Sequence, residues 1–295
     1  MNSDGGPRRR LAARILRATA SGLGRRPTLE LAAVFLGVPA LLFAVHLFPG
    51  SRAWSLSLAA ESPFVDRETL WATFASSYVH VDGSHLLNNV GVYWITMAAV
   101  YPLSVVADWR RELAAAVAGY LLAVPLAVSW VSLRTLGEFS DYPSAGFSGI
   151  NSAFLGFLVV VWFVALAREV DGEDGPAPAW ALIPFSLGLA VAFAAPRTAG
   201  LLPPAPWIAA LFVAFAIAAA LGFLRVDGDP RAVDLSGVRE FLFVFGLSVV
   251  IAGVLGSLVF VAPGTNVYAH LTGFVAGFAF PFLAFVLPRL PADHG

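Results

Sequence analysis

The chain has 295 residues, of which 58% are hydrophobic and 13% are charged, with a formal net charge of −1 and a mean hydropathy of +0.78. Soluble domains carry about 25% charged residues, so this composition excludes an ordinary soluble protein. Apolar runs of about twenty residues, each long enough to cross a bilayer, predict a polytopic integral membrane protein. The chain has no Cys, which excludes disulfides, a thiolate nucleophile and a thiolate metal site.

Residues 1–28 form an Arg-rich segment that we interpret as a cytoplasmic topology anchor touching anionic lipid. It is too long and too basic for a signal peptide, and no A-x-A cleavage site follows the first apolar run. A nucleic-acid-binding arm is the weaker alternative. All eighteen basic residues of the chain are Arg, which is typical of a GC-rich genome, and we expect the plasma membrane of a prokaryote. The seven basic residues of this segment are Arg8, Arg9, Arg10, Arg14, Arg17, Arg25 and Arg26.

Residues 29–288 are predicted to form one all-α membrane domain, followed by a short cytoplasmic tail at 289–295. Apolar runs between charged, Pro and Gly clusters predict about eight spans. A Pro cluster divides 180–224, which is too long for one helix, into two spans. The predicted helices are 30–48, 85–106, 112–131, 147–167, 180–195, 206–224, 239–261 and 266–288.

The distribution of Arg predicts that both termini are cytoplasmic. With the N-terminus inside, fourteen Arg residues fall in inner segments and four in outer segments, which is the bias that the positive-inside rule requires. The inner segment 168–179 is mainly acidic, but acidic residues contribute little to this rule. The longest outer segment, 49–84, carries aromatic residues suited to the membrane interface: Trp54, Phe64, Trp71, Phe74 and Tyr78.

Polar groups within the spans are costly and therefore indicate function. They occur at the outer starts of the second, fourth and eighth predicted helices, all of which run from outside to inside. These groups are His80, His85, Asn88 and Asn89; Ser148 within Gly146-Phe147-Ser148-Gly149; and His270.

These residue types suit nucleophilic acyl transfer. A Ser hydroxyl needs a base to take its proton, and His has a suitable pKa. Gly146 and Gly149 leave the Ser148 hydroxyl uncrowded, and unpaired N–H groups at the helix start could stabilise an oxyanion. His85 and Asn89 share one helical face and could supply further donors. Because no Asp or Glu is placed to orient His270, the sequence predicts a Ser–His dyad.

Small residues on two helices predict a close approach between the Ser and His helices. They are Ser148, Ser152 and Gly156 on one helix, and Gly273 and Gly277 on the other.

Each of these features alone has a structural explanation: G-x-S-G as a packing site, and His270 or the pair His85 and Asn89 as interhelical hydrogen-bonding groups. A metal site at His80, Asp82 and His85 is disfavoured, and no cofactor is expected. The chain lacks the H-E-x-x-H of zinc proteases and the G-x-G-D of aspartyl intramembrane proteases.

Three motifs together resemble the rhomboid family of intramembrane serine proteases. Residues 77–89 resemble its H-x4-H-x3-N pattern, residues 146–149 its G-x-S-G, and residues 269–277 its A-H-x2-G-x3-G. The resemblance covers roughly residues 70–167 and 262–288.

The resemblance implies that Ser148 is the nucleophile and His270 the general base. It also implies an oxyanion hole formed by His85, Asn89 and the Ser148 N–H. The implied reaction is hydrolysis of a peptide bond in or beside a transmembrane helix of a membrane-protein substrate, near the outer face, without metal, cofactor or nucleic acid.

The chain departs from the family pattern in three places. Trp71 is followed by Ala72 where rhomboids often have Trp-Arg, and Ser152 replaces an aromatic residue that commonly stacks on the base. Three predicted helices, rather than one, separate the Ser and His helices, which preserves the parity of the two spans. The alternatives left open are a catalytically inactive rhomboid-like protein that binds transmembrane clients and, less favoured, a small-molecule transporter or channel.

Overall fold

The computed structural model describes residues 28–60, 66–137, 143–170, 177–194, 205–227 and 238–290. The Arg-rich segment, apart from residue 28, and residues 291–295 of the tail lie outside the described residues.

Within these ranges the regular elements are all helical, which confirms the all-α class; Leu56 and Ser144 form an isolated antiparallel bridge. Short 3-10 turns lie at Ser51–Trp54 and Ser76–Tyr78. The helices are α1 Thr28–Leu47, α2 Arg67–Ala75, α3 Gly83–Val106, α4 Arg110–Leu136, α5 Ser148–Val170, α6 Leu182–Ala194, α7 Pro206–Asp227, α8 Val238–Val254 and α9 Val267–Pro281. The last two continue through π-helical turns at Leu255–Val259 and Phe282–Val286.

Each predicted span coincides with a helix, but the count of eight spans is not confirmed. Six described helices are long and apolar enough to cross a membrane: α1, α3, α4, α5, and α8 and α9 with their π turns. The other two are shorter apolar helices, Ala179–Ala194 and Pro206–Gly222. At 1.5 Å per residue their apolar parts extend only about 25 Å, less than the roughly 30 Å of a hydrocarbon core. They pack against each other as a pair, with Phe193 stacked on Phe212.

The helix that begins with Ser148 lies at the centre of the bundle. In its most apolar stretch 94% of the residues are buried, whereas in α1 the share is 17%. α5 packs against α3, α8 and α9. Trp162 of α5 donates its indole N–H to the Leu242 carbonyl at 3.0 Å, which ties α5 to α8. A core position for α5 explains why its sequence is apolar on every face.

Glycine allows α5 and α9 to lie in backbone contact. A Cβ atom added at Gly273 would lie 1.8 Å from the Gly149 carbonyl oxygen, and one at Gly277 would lie 2.0 Å from that of Ala153. A Cβ at Gly156 would meet the Phe274 carbonyl oxygen at 2.3 Å. The close approach expected from small residues is therefore present, but Gly149 and Ala153 line the contact.

Ion pairs join the helices at the end of the bundle opposite Ser148. Arg110 forms a bidentate pair with Glu30, with N–O distances of 2.8 and 2.6 Å, and thereby links α4 to α1. Arg168 lies near Asp108 at 3.6 Å and donates to the Ala107 carbonyl at 2.6 Å. Two positive side chains thus anchor neighbouring helix ends on this side, where Arg111 and Arg289 also lie.

Candidate active site

The turn before α5 is fixed by a backbone hydrogen bond and a buried side chain, and Ser148 follows it. The Gly146 N–H donates to the Ser76 carbonyl at 3.0 Å, and Phe147 is fully buried. Gly146 has φ +128°, a backbone conformation that favours glycine. Ser148 follows as the first residue of α5 and is half-buried. Its position at a helix start leaves nearby N–H groups without partners inside the helix.

His85 lies against this turn. A Cβ at Gly146 would come within 2.7 Å of His85 Cε1 and 2.9 Å of its Nε2, so the imidazole occupies the space that glycine leaves open. The ring is positioned because Asp82 caps α3, accepting from the His85 N–H at 2.8 Å. Asp82 also accepts from the Ser84 hydroxyl, and this hydrogen bond lowers the pKa of the Asp82 carboxyl. The cap therefore remains charged at neutral pH.

His270 lies in the first turn of α9 and is buried, with 8% of its surface exposed. Asn266 caps the helix, accepting from the Ala269 N–H at 3.0 Å, and its own amide donates to the Ser132 hydroxyl at 2.7 Å. His270 Nδ1 lies 2.6 Å from the Ser257 carbonyl oxygen. Its Nε2 is buried and has no hydrogen-bond partner.

The structure brings Ser148, His85 and His270 to one end of the bundle. Gly149, next to Ser148, lies in backbone contact with Gly273 and Ala269 of the His270 turn, and His85 lies against Gly146, two residues before Ser148. The hydrogen bond expected between Ser148 and His270 is not formed in this structure. Catalytic hydrogen bonds often tighten only when substrate binds, and Nε2 retains its acceptor capacity.

Asn89 is buried on α3 and takes part in a polar contact with α5. Its Nδ2 donates to the His85 carbonyl at 3.0 Å. Its backbone carbonyl and Oδ1 accept from Asn151 Nδ2 at 2.9 and 3.3 Å. One amide hydrogen of Asn89 is thus committed within α3, and the second remains for another acceptor. Asn88, one residue earlier, is exposed and takes no part in these contacts.

His80 packs beside His85, with ring centroids 5.1 Å apart, and 1% of its surface is exposed. Neither ring nitrogen has a hydrogen-bond partner of normal geometry. Burial lowers the pKa of His80 to about 4, so the ring is neutral at physiological pH. Among the described residues no group of three or more His, Cys, Asp or Glu could hold a metal ion.

Aromatic residues of the outer segment lead from the protein surface to the site. Trp71 contacts Trp54 and Phe74, with ring centroids 5.6 and 6.2 Å apart, and Phe74 contacts Tyr78. Tyr78 in turn packs against Phe147, next to Ser148. Trp71 is 49% exposed, which suits a side chain at a membrane interface. Phe64, named with this group, lies outside the described residues.

Sequence reasoning missed two residues of this region. Asn151 is an amide inside an apolar span, a costly placement that was itself a sufficient signal. Ser257 gave none, because single Ser residues are common in apolar helices and its role depends on a backbone carbonyl exposed at a π-helical turn. Ser152, flagged because it replaces an aromatic residue, hydrogen-bonds with Ser257 Oγ at 2.9 Å.

Comparisons of the chain with protein-family models, with curated proteins and with solved structures gave no match.

Proposed function

We propose that the protein is an intramembrane serine endopeptidase of the rhomboid type that hydrolyses peptide bonds in or next to transmembrane helices of membrane proteins. One observation supports this most strongly. A half-buried Ser at a helix start, a buried His with a free Nε2 and a second His against the preceding turn converge at one end of the bundle.

Each group then has one chemical role. Ser148 Oγ attacks the carbonyl carbon of the scissile bond while its proton passes to His270 Nε2. The oxyanion of the tetrahedral intermediate accepts hydrogen bonds from the Ser148 N–H, His85 and the remaining amide hydrogen of Asn89. When the C–N bond breaks, His270 returns the proton to the leaving amine. A water molecule, deprotonated by His270, then hydrolyses the acyl-enzyme and restores Ser148.

The substrate class follows from the position of the site. Ser148 lies at the end of a span, beside aromatic residues typical of the interface, so an unwound end of a substrate helix could reach it. The Arg residues at the opposite end favour a cytoplasmic location for that end, which puts the site near the outer face. We extend this to an N-in, C-in chain in the plasma membrane, with α6 and α7 inserted between the Ser and His helices.

The test is cleavage of a purified single-span substrate by wild type and by Ser148→Ala and His270→Ala, reconstituted in the same vesicles. Wild type is expected to cleave, and both variants to lose the activity. Ser104→Ala is the control, because Ser104 is a buried serine whose hydroxyl donates to the Val100 carbonyl of its own helix. Binding of the substrate with no cleavage by wild type would instead favour the inactive client-binding protein.

A further inference from the structure

The ring of His270 is held by contacts at the end of α8. His270 Nδ1 lies 2.6 Å from the Ser257 carbonyl oxygen. A carbonyl oxygen only accepts hydrogen bonds, so Nδ1 must carry the proton of the neutral ring. Nε2 is then the unprotonated nitrogen, and it is the one without a partner. This tautomer is the one a general base needs when it faces a Ser hydroxyl.

The Ser257 carbonyl is available because of where it lies. Ser257 belongs to the π-helical turn Leu255–Val259 that ends α8. Carbonyl groups in the last turn of a helix lack partners within that helix. They also form the negative end of the helix dipole, which favours the imidazolium that forms when His270 takes a proton. π-helical turns are frequent at functional sites.

A second contact fixes Ser257 to the helix that carries Ser148. Ser152 Oγ lies 3.0 Å from the Ser148 carbonyl oxygen and 2.9 Å from Ser257 Oγ. Because the carbonyl only accepts, Ser152 uses its single hydrogen for that bond, and Ser257 donates to Ser152. The side chain of Ser152 is buried. The backbone of Ser148 is therefore linked to the ring of His270 through Ser152 and Ser257, where the hydroxyl and the carbonyl of Ser257 are joined by covalent bonds.

We propose that Ser152 and Ser257 are positioning residues that hold His270 in its Nδ1–H tautomer with Nε2 directed to the Ser148 side. The inference rests on the proposed function for its kinetic consequence, but not for its structural content. The Ser257 carbonyl supplies the acceptor that a triad obtains from a carboxylate.

The first experiment is kinetic and uses the full-length protein in vesicles. Ser152→Ala and Ser257→Ala are each expected to lower kcat about tenfold with KM unchanged, because a misoriented base slows chemistry but not binding. The double variant is expected to be no slower than the slower single variant, since both changes break one chain. Ser257→Thr keeps the hydroxyl, and Ser257 is only half-buried, so this variant should retain wild-type kcat.

The second experiment needs no activity. The chain has five His residues, so ¹⁵N-histidine NMR of the protein in micelles, with His270→Ala for assignment, resolves the tautomer of His270. We expect Nδ1–H in wild type. An Nε2–H tautomer, or Ser152→Ala and Ser257→Ala variants with wild-type kcat, would overturn the positioning role. A wild-type protein that does not cleave but shows the Nδ1–H tautomer would refute the proposed protease function. The hydrogen bond from His270 Nδ1 to the Ser257 carbonyl would still stand.

Discussion

At the scale of single residues, Asn89 and Asn151 connect two helices of the bundle by hydrogen bonds. Asn151 donates to the backbone and side chain of Asn89, and Asn89 donates to the carbonyl of His85. The helix that carries Ser148 is thereby fixed to the helix that carries His85 and Asn89. A buried amide left without these partners would be costly, so the contact also specifies the register of α3 against α5.

His80 gives the molecule a predicted pH dependence of stability. Its folded-state pKa of about 4 lies below the unfolded value of 6.5, so below pH 6.5 the unfolded chain binds more protons than the folded protein. Stability therefore falls as the pH drops from 6.5 towards 4, by on the order of 3 kcal/mol in total. Above pH 6.5 His80 contributes no pH dependence.

Thermal unfolding in micelles between pH 7.5 and pH 4 measures this effect. His80→Phe keeps an aromatic ring and removes the titrating group, so its melting temperature should fall less than that of wild type over this range. Equal pH dependence of the two proteins would show that burial of His80 does not destabilise its charged form.

The sequence predicts those residues of the candidate site that can be recognised by their side chains alone. Ser148, His85 and His270 stand out because ionisable and nucleophilic groups are rare at helix starts in such an apolar chain, and the structure brings the segments that carry them together. Asn89 is there too, but its contact with Asn151 depends on the register of two helices. Ser257 acts through its backbone, which residue type does not encode.

The contact between α5 and α9 is the central feature at the scale of the elements. It needs glycine where the two backbones touch, because any side chain there would meet a carbonyl group rather than a movable side chain. The sequence predicted the close approach from its small residues. Gly156 of the predicted stripe lies in this contact, and Ser152 hydrogen-bonds with Ser257 in the turn that ends α8.

Gly273→Ala is expected to destabilise the protein by about 3 kcal/mol, because the new Cβ would lie 1.8 Å from the Gly149 carbonyl oxygen and the helices must separate. Separation would also move the turn of His270 away from Ser148, and the proposed cleavage should then be lost. The measurement is the free energy of unfolding in a detergent titration. Gly91→Ala is the control, because nothing lies within 4 Å of a Cβ there. Equal stability of the two variants would contradict the proposed role of the glycine contact.

Helix positions were predicted well, whereas the number of spans was not. Apolar runs locate the helices because a membrane helix is apolar along its length, whether it faces lipid or other helices. Whether a helix crosses the membrane depends on its length, and α6 and α7 have apolar parts near the limit. Since they form a packed pair, the chain enters and leaves them on the same side whether or not they cross. The same-end placement of Ser148 and His270 does not depend on the answer.

At the scale of the whole molecule, Arg residues lie at both ends of the bundle, with Arg52, Arg67 and Arg134 at the Ser148 end. The end away from Ser148 carries Arg110, Arg111, Arg168 and Arg289, three of them in ion pairs or hydrogen bonds with neighbouring helices. Aromatic residues gather at the other end. The positive-inside rule then predicts an orientation with Ser148 at the outer face.

The orientation can be tested cleanly because the chain has no native Cys. Single-Cys variants at the exposed positions Val81 and Ala262 should react with a membrane-impermeant maleimide on intact cells. The exposed position Arg111, changed to Cys, should react only after permeabilisation. The reverse pattern would put the site on the cytoplasmic side and contradict the N-in, C-in topology.

In the proposed mechanism His270 activates Ser148 as a nucleophile, and covalent labelling tests this without knowledge of the natural substrate. The purified protein is treated with a fluorophosphonate probe, and the adduct is located by peptide mass spectrometry. We expect a single adduct on Ser148 in wild type and Ser104→Ala, and none in Ser148→Ala or His270→Ala. Labelling that is absent from wild type, or that persists in His270→Ala, would contradict the account.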